Sequence, residues 1–214
     1  MRQLLHVSAS PRGELSHSRR AGRAFVEALS QSGGVTSVVR DLVESPLPYP
    51  GRTFAEASLM PSDARKPADR MALALSDILI AELEAADILL IDTPMHNFTL
   101  PATLKAWVDH IVRPGRTFLP SPQGKVGVLT DRPVFLIVAC GGSFGEEASS
   151  QPDFLTPYLR HVLATIGLAS VETLRIENLR RGDAAVDAAE RMVAAWTASR
   201  VTGSRVFPTW IEAR

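Results

Sequence analysis

Three short stretches of this chain carry residue types suited to holding a flat, anionic ligand. The first, Ser8 to Ser18, offers four hydroxyls, Ser8, Ser10, Ser16 and Ser18, beside Arg12, Arg19 and Arg20. It runs into a helical pattern, and the unpaired N–H groups and positive dipole end of a helix start favour a phosphate. The same serines would also serve as helix caps and turn residues, the more ordinary reading for Ser8 taken alone. The second stretch, Pro94 to Thr99, reads Pro-Met-His-Asn-Phe-Thr. It supplies backbone donors at His96, Asn97 and Phe98, while Met95 and Phe98 form either an apolar bed for a planar ring or ordinary core at a sheet edge. The third, Cys140 to Gly145, contains Gly141-Gly142, where a missing side chain lets backbone approach a ligand closely, although Gly-Gly alone is only a turn.

The chemistry these stretches exclude is as informative. The serine loop has neither G-x-G-x-x-G nor G-x-x-x-x-G-K-[ST], which disfavours a dinucleotide Rossmann site and an NTPase phosphate loop and leaves a mononucleotide phosphate. No G-x-S-x-G elbow supports a serine hydrolase. One cysteine, Cys140, rules out an intrachain disulfide framework and a multi-cysteine metal centre, so no metal is expected, and it points to a reducing compartment.

For the three stretches to act together, the elements around them must end on one rim. Residues 2 to 8 read as a first strand, and Arg19 to Ser30, with Ala21, Ala24, Phe25, Ala28 and Leu29 at helical spacing, as a helix stopped by Gly33-Gly34. Val35 to Leu42 reads as a second strand, followed by a Pro-rich excursion to Pro67 without a readable element. Met71 to Ala86 is amphipathic and feeds Ile88-Leu-Leu-Ile, an unbroken apolar run of the kind buried on both faces of a parallel sheet. Pro101 fits the first turn of the next helix, whose Leu104, Trp107, Val108 and Ile111 share a face before Pro114-Gly115 stops it. Trp107 and His110 read as helix packing or as contacts with a second subunit.

Residues 114 to 132 read as a long loop or small hairpin with a short strand at Val126 to Leu129. Pro133 to Cys140 is a second doubly buried strand, Pro157 to Ile166 a helix, Val171 to Ile176 an edge strand and Ala184 to Ser199 an Ala-rich helix. This alternation predicts an α/β doubly wound, five-stranded parallel sheet in the order 2-1-3-4-5 with helices on both faces, spanning residues 1 to 214 as one domain. In that order the three stretches meet at the switch point between strands one and three.

Balanced charge, 23 basic against 23 acidic residues, gives no field favouring nucleic acid or an anionic membrane. The N-terminal apolar run is too short for a signal peptide and no other run reaches membrane-spanning length, so a soluble cytoplasmic protein is expected.

Ser10, Ser16-His17-Ser18, Pro94-Met95-His96-Asn97-Phe98, Pro101 to Lys105 and Gly141-Gly142 together resemble the FMN-dependent NADH-azoreductases and, beyond them, the flavodoxin-like NAD(P)H quinone oxidoreductases. That resemblance implies a flavodoxin-like fold, a homodimer with FMN at its interface, and ping-pong hydride transfer from NADH or NADPH through FMN to azo dyes and quinones. It assigns Ser10, Ser16, His17 and Ser18 to the FMN phosphate, Met95, His96, Asn97 and Phe98 to the isoalloxazine, and Ala139, Cys140, Gly141 and Gly142 to its pyrimidine side. His96 stands where tyrosine is common, and Ala139-Cys140 where serine and arginine are common. His96 is thus a candidate proton donor or a shaper of the pocket, and Cys140 receives no redox role. An electron-carrier flavoprotein serving a protein partner is the rival reading, disfavoured by the absence of an acidic docking surface in the charge balance.

Overall fold

The computed structural model describes residues 1–144 and 151–201; Gly145, the last residue of the third stretch, lies outside them, as does the chain beyond residue 201. Along the chain run β1 (Arg2–Ser8), α1 (His17–Gln31), β2 (Val35–Asp41), α2 (Arg52–Leu59), α3 (Pro67–Ala85), β3 (Ile88–Pro94) and α4 (Ala102–Ile111). They are followed by β4 (Phe118–Ser121), β5 (Gly124–Gly127), β6 (Val134–Ala139), α5 (Leu155–Thr165), β7 (Val171–Ile176) and α6 (Asp183–Val201). Five strands form one parallel sheet in the order β2-β1-β3-β6-β7, which is the expected 2-1-3-4-5 order once the β4-β5 hairpin is set aside.

The apolar runs sit where doubly buried strands must. Every residue of β6 is buried, as are all but the last of β3, so successive side chains feed opposite cores. Leu4, Leu90, Phe135 and Ile137 pack with Phe25 of α1 and Val193 of α6 on one face. Leu5, Ile91, Leu136 and Val138 pack with α3, α4 and α5 on the other. A right-handed crossover places the helix on a face set by the direction of travel across the sheet. The step from β1 out to β2 therefore puts α1 on one face, and the return to β3 and onward to β7 puts α3, α4 and α5 on the opposite one. On the α1 face, Phe25 lies 4.8 Å from Phe135 and 5.1 Å from Trp196, ring centre to ring centre.

Two expectations are corrected. The excursion after β2 is not structureless: it holds α2 and a short 3-10 turn at Ser62–Ala64, with only Ala57 of α2 buried, so its apolar spacing is too sparse to announce a helix. The hairpin is real, but its second strand is Gly124–Gly127 rather than 126 to 129. It docks on the end of α5 so closely that a Cβ on Gly127 would lie 2.1 Å from the Gly167 nitrogen. Trp107 is wholly buried against β3 and α3 within the protomer core, which removes it from any subunit contact. His110 is likewise buried, its Nε2 2.9 Å from the Pro48 carbonyl oxygen.

Gly167 tests that docking. It sits at φ +108, and an added Cβ would lie 2.2 Å from the Leu129 carbonyl oxygen. Gly167→Ala therefore combines left-handed strain with a backbone clash and is expected to cost about 2–4 kcal/mol in urea unfolding.

Candidate functional site

The three stretches predicted to meet do leave one rim, because parallel strands in register end together. Ser8 of β1 lies opposite Asp92 of β3, and Pro94 of β3 opposite Ala139 of β6. The pairing continues past the strands: the Ala9 amide donates to the Asp92 carbonyl at 3.0 Å, and the Met95 amide to the Ala139 carbonyl at 2.9 Å. A fourth loop, after β7, joins them through the Cys140 amide, which donates to the Ile176 carbonyl at 2.8 Å. The reading of β7 as a bare edge strand gave no reason to look there.

The serine loop is built from buried hydroxyls at a helix start. Ser10, Ser16 and Ser18 are all buried. Ser16 caps α1: its Oγ accepts the Arg19 amide at 3.2 Å and its carbonyl the Arg20 amide at 3.0 Å. A helix start leaves its first amides without intrahelical acceptors, and among the described residues those of His17 and Ser18 have none, beside the Ser16 and Ser18 hydroxyls that lie 3.1 Å apart. Arg19 does not face the anion site. Its guanidinium pairs with Asp41 at the end of β2 and donates to the Ser10 carbonyl at 3.0 Å, bracing the loop from behind. Asp41 in turn accepts the Val43 and Glu44 amides at 2.9 and 3.1 Å. Burial works against its charge, but Arg19 and these two amides outweigh that and hold the carboxyl below its usual range. The His17 side chain points elsewhere, into a cavity of about 250 Å³ between α1 and α6, with Nδ1 3.1 Å from the Arg20 guanidinium. Burial, then Arg20 and Arg12, lower its pKa, so it is neutral at pH 7 and contributes only its backbone amide to the serine loop.

Beneath this loop lies a polar contact that sequence reading took as a lone core histidine. His6 Nε2 stands 2.6 Å from Asp92 Oδ2, and Ser8 Oγ donates to Asp92 Oδ1 at 3.2 Å, with His6 and Asp92 both buried. A Cβ on Gly22 of α1 would come within 3.0 Å of both His6 Nε2 and Asp92 Oδ2.

The second stretch is a tight reversal from His96 to Thr99, closed by two amide-to-carbonyl bonds of 2.9 Å. Asn97 and Phe98 have φ of 46° and 69°, the paired left-handed centre of a type I′ turn. Asparagine tolerates that region, but phenylalanine there is a strained choice. The Phe98 carbonyl is tied to α5 by the Phe154 amide at 3.0 Å, and among the described residues the Asn97 and Phe98 amides have no acceptor within the chain. Phe98 remains 43% exposed, Met95 is half-buried, and His96 and Asn97 are exposed. Core packing therefore accounts for Met95 but not for Phe98.

Met95, Asn97 and Phe98 line a cleft of about 360 Å³ with Cys140, Gly141 and Gly142 on its other side. Phe144, Gln151 and Arg180 complete it and were not singled out from sequence. Neither His96 nor Ala139 lines it; Ala139 is buried and its carbonyl is occupied by Met95. The two glycines differ. A Cβ on Gly142 would meet Gln151 only at 3.5 Å, whereas one on Gly141 would lie 3.0 Å from the Arg180 Cδ and Nε. Gly141 is thus small because Arg180 crosses it. Burial, followed by the charges of Glu177 and Asp153, pushes the Cys140 thiol up to about 12, so it stays protonated and inert.

Comparison with known proteins follows the same lines. The Flavodoxin_2 family model, described as a flavodoxin-like fold, matches residues 2–199. The chain is 50% identical over 200 residues, 93% of its length and 97% of the relative's, to FMN-dependent NADH:quinone oxidoreductase 2 of Cupriavidus pinatubonensis. It is 47% identical over 189 residues, 88% of its length and 90% of the relative's, to FMN-dependent NADH:quinone oxidoreductase 4 of Pseudomonas fluorescens. Among solved structures, an azoreductase from Bacillus anthracis superposes with a TM-score of 0.80 at 26% identity, over 94% of this chain and 97% of that one.

The Arg19 to Asp41 brace carries a pH signature. The folded pKa of Asp41 lies below its unfolded value of about 4, so its stabilisation is complete above that value and disappears as pH falls through the folded one. Asp41→Asn is expected to be less stable than the parent at neutral pH, with the gap closing as unfolding is followed down through the carboxylate range.

Proposed function

From the premise that this chain belongs to the family of FMN-dependent NADH:quinone oxidoreductases on the flavodoxin-like fold, we propose that it is an FMN-dependent oxidoreductase carrying electrons from NADH or NADPH to quinones and azo compounds. One observation carries the reading. Among the described residues, a helix start with two unpaired amides and buried hydroxyls shares a rim with a turn whose two unpaired amides belong to Asn97 and an exposed Phe98. The donor set fits FMN at both ends: hydroxyls and amides for a phosphate, a Met95 and Phe98 bed with amide edges for a ring.

When bound, FMN supplies reversible hydride chemistry, taking two electrons and a proton from the nicotinamide and passing them to the acceptor, which gains its second proton from the surroundings. The chain's own work is binding and electrostatics. Ser10, Ser16, Ser18 and the amides of His17 and Ser18 hold the phosphate. Met95 and Phe98 support the ring, and the amides of Asn97, Phe98, Gly141 and Gly142 stabilise the negative charge it acquires. No side chain acts as a nucleophile, and Cys140, kept as a thiol, is not one. The two substrates use the same open cleft in turn, which is ping-pong order. His96 stands exposed at the turn beside the cleft, accessible to water.

The resemblance read from the sequence implies a homodimer as well. Leu59 is 78% exposed and Met60 39% exposed along the α2 segment, apolar surface that a second copy would cover. Among the described residues no helix is long and apolar enough to cross a membrane; the cytoplasmic location is proposed from the lone cysteine, Cys140.

Purified chain is expected to be yellow, to bleach when NADH is added without oxygen and to recover on adding a quinone; a preparation that refuses FMN sinks the reading. Ser18→Ala should weaken FMN about tenfold, the value of one hydrogen bond to a charged group, and leave riboflavin, which has no phosphate, unaffected. His96→Phe should leave the pH profile of turnover unaltered; loss of a limb of that profile would instead make His96 the proton donor.

A further inference from the structure

Arg180 lies in the turn after β7, and that turn is fastened to the third stretch by backbone bonds. The Asn178 amide donates to the Gly142 carbonyl at 3.0 Å, the Leu179 amide to the Cys140 carbonyl at 3.3 Å and the Arg180 amide to the Gly141 carbonyl at 3.3 Å. Asn178, at φ 62°, makes the reversal that lets three successive amides face the same strand end. The Arg180 stem then runs across Gly141, in the space a side chain would occupy, and brings its guanidinium to the cleft.

Among the described residues, Arg180 is the one charged side chain lining that cleft. Among the described residues, the neighbouring acids Glu177 and Asp153 are engaged elsewhere. Glu177 accepts the Phe144 amide at 3.3 Å and lies 3.6 Å from Arg175. Asp153 accepts the Leu155 and Thr156 amides at 2.9 and 2.8 Å and lies 3.3 Å from Arg175. Among the described residues Arg180 has no ion-pair partner of its own. Its anion is not the phosphate, because the serine loop stands on β1 and none of its residues lines this cleft.

On the flavin reading above, one other negative charge arises here. Hydride delivered to a neutral ring brings two electrons and one proton, leaving the ring with one net negative charge and the nicotinamide with one positive. We infer that the Arg180 guanidinium is the partner of that charge, set against the pyrimidine end of the ring beside Gly141 and Gly142, and that it makes the chain bind reduced FMN more tightly than oxidised FMN. A cation fixed at the place where charge develops favours the charged form without reorganising at the moment of transfer. Arginine suits the task because it stays charged at every working pH and its planar fork matches a carbonyl and ring-nitrogen edge.

The test is the midpoint potential of bound FMN, with the dissociation constants of both redox forms, in the parent, Arg180→Ala and Arg180→Lys. Arg180→Ala is expected to hold oxidised FMN within about threefold of the parent and reduced FMN about tenfold more weakly, an exposed charge pair being worth of order 1 kcal/mol. For a two-electron couple that fold-change lowers the potential by about 30 mV. Arg180→Lys should recover most of it. Gly141→Ala, which pushes the Arg180 stem aside, should lower the potential in the same sense. FMN bound by Arg180→Ala at the parent's potential overturns the role of Arg180 and leaves the flavin reading standing. A shift confined to the KM for NADPH over NADH assigns Arg180 to the nucleotide and also overturns it. Parent protein that takes up no FMN removes both.

Discussion

The contact of 2.6 Å between His6 Nε2 and Asp92 Oδ2 underlies the rest of this architecture. It joins β1 to β3 at the place where the sheet reverses direction, and Ser8 adds a second bond to the same carboxyl. Buried polar atoms tolerate no gap, because a missing partner leaves the full desolvation cost of the other. The cluster therefore requires β1 and β3 to keep this register. It also requires a residue without a side chain above it, and Gly22 meets that need, letting α1 lie close to the sheet. The helix start is thereby held beside the end of β3. The helix start with its buried hydroxyls and the cleft between Met95 and Gly141 therefore open on one rim.

Along the rim, rigidity changes in a way that suits a ligand with a charged end and a flat end. The serine loop is braced on both sides, by the Ser16 cap and by Arg19 against Asp41, so its donors are in place before any anion arrives. Preorganised donors avoid the ordering cost that a loose loop would incur on binding. The turn at Asn97 and Phe98 is held in a left-handed conformation that phenylalanine does not favour, and its fastening to α5 through Phe154 maintains it. Strain of this kind, at an exposed aromatic, is not accounted for by packing. The third stretch is the open side, where Arg180, without an ion-pair partner among the described residues, crosses Gly141.

The parts of the fold that read well from sequence are those in which one residue's environment repeats. Ile88 to Ile91 and Val134 to Val138 announce themselves because both of their faces are buried, and α1, α3 and α4 because one face is. α2 was missed because one buried alanine makes no period. Trp107 reads as helix packing or as a subunit contact, because an aromatic on an apolar stripe looks the same whether its neighbours belong to the same chain or to another, and its burial decides for packing. His17 was grouped with its flanking serines, yet helical geometry turns its side chain towards α6.

By itself the order of residues determined the sheet, the three loops at its carboxyl edge and the chemistry those loops offer, since each depends on local spacing: apolar runs, a serine at a helix start, a proline in a first turn. What only tertiary structure decided is which donors remain free and which charges are spoken for. Arg12, Arg19 and Arg20 are equivalent basic residues in a string of letters, and only the approach of β2 commits Arg19 to Asp41. Arg180 stands 39 positions from Gly141 in sequence and crosses it in space, because β6 and β7 are neighbours in the sheet. Pairings between distant residues leave no periodic trace, so the charge that completes the cleft becomes visible only when the strands are side by side.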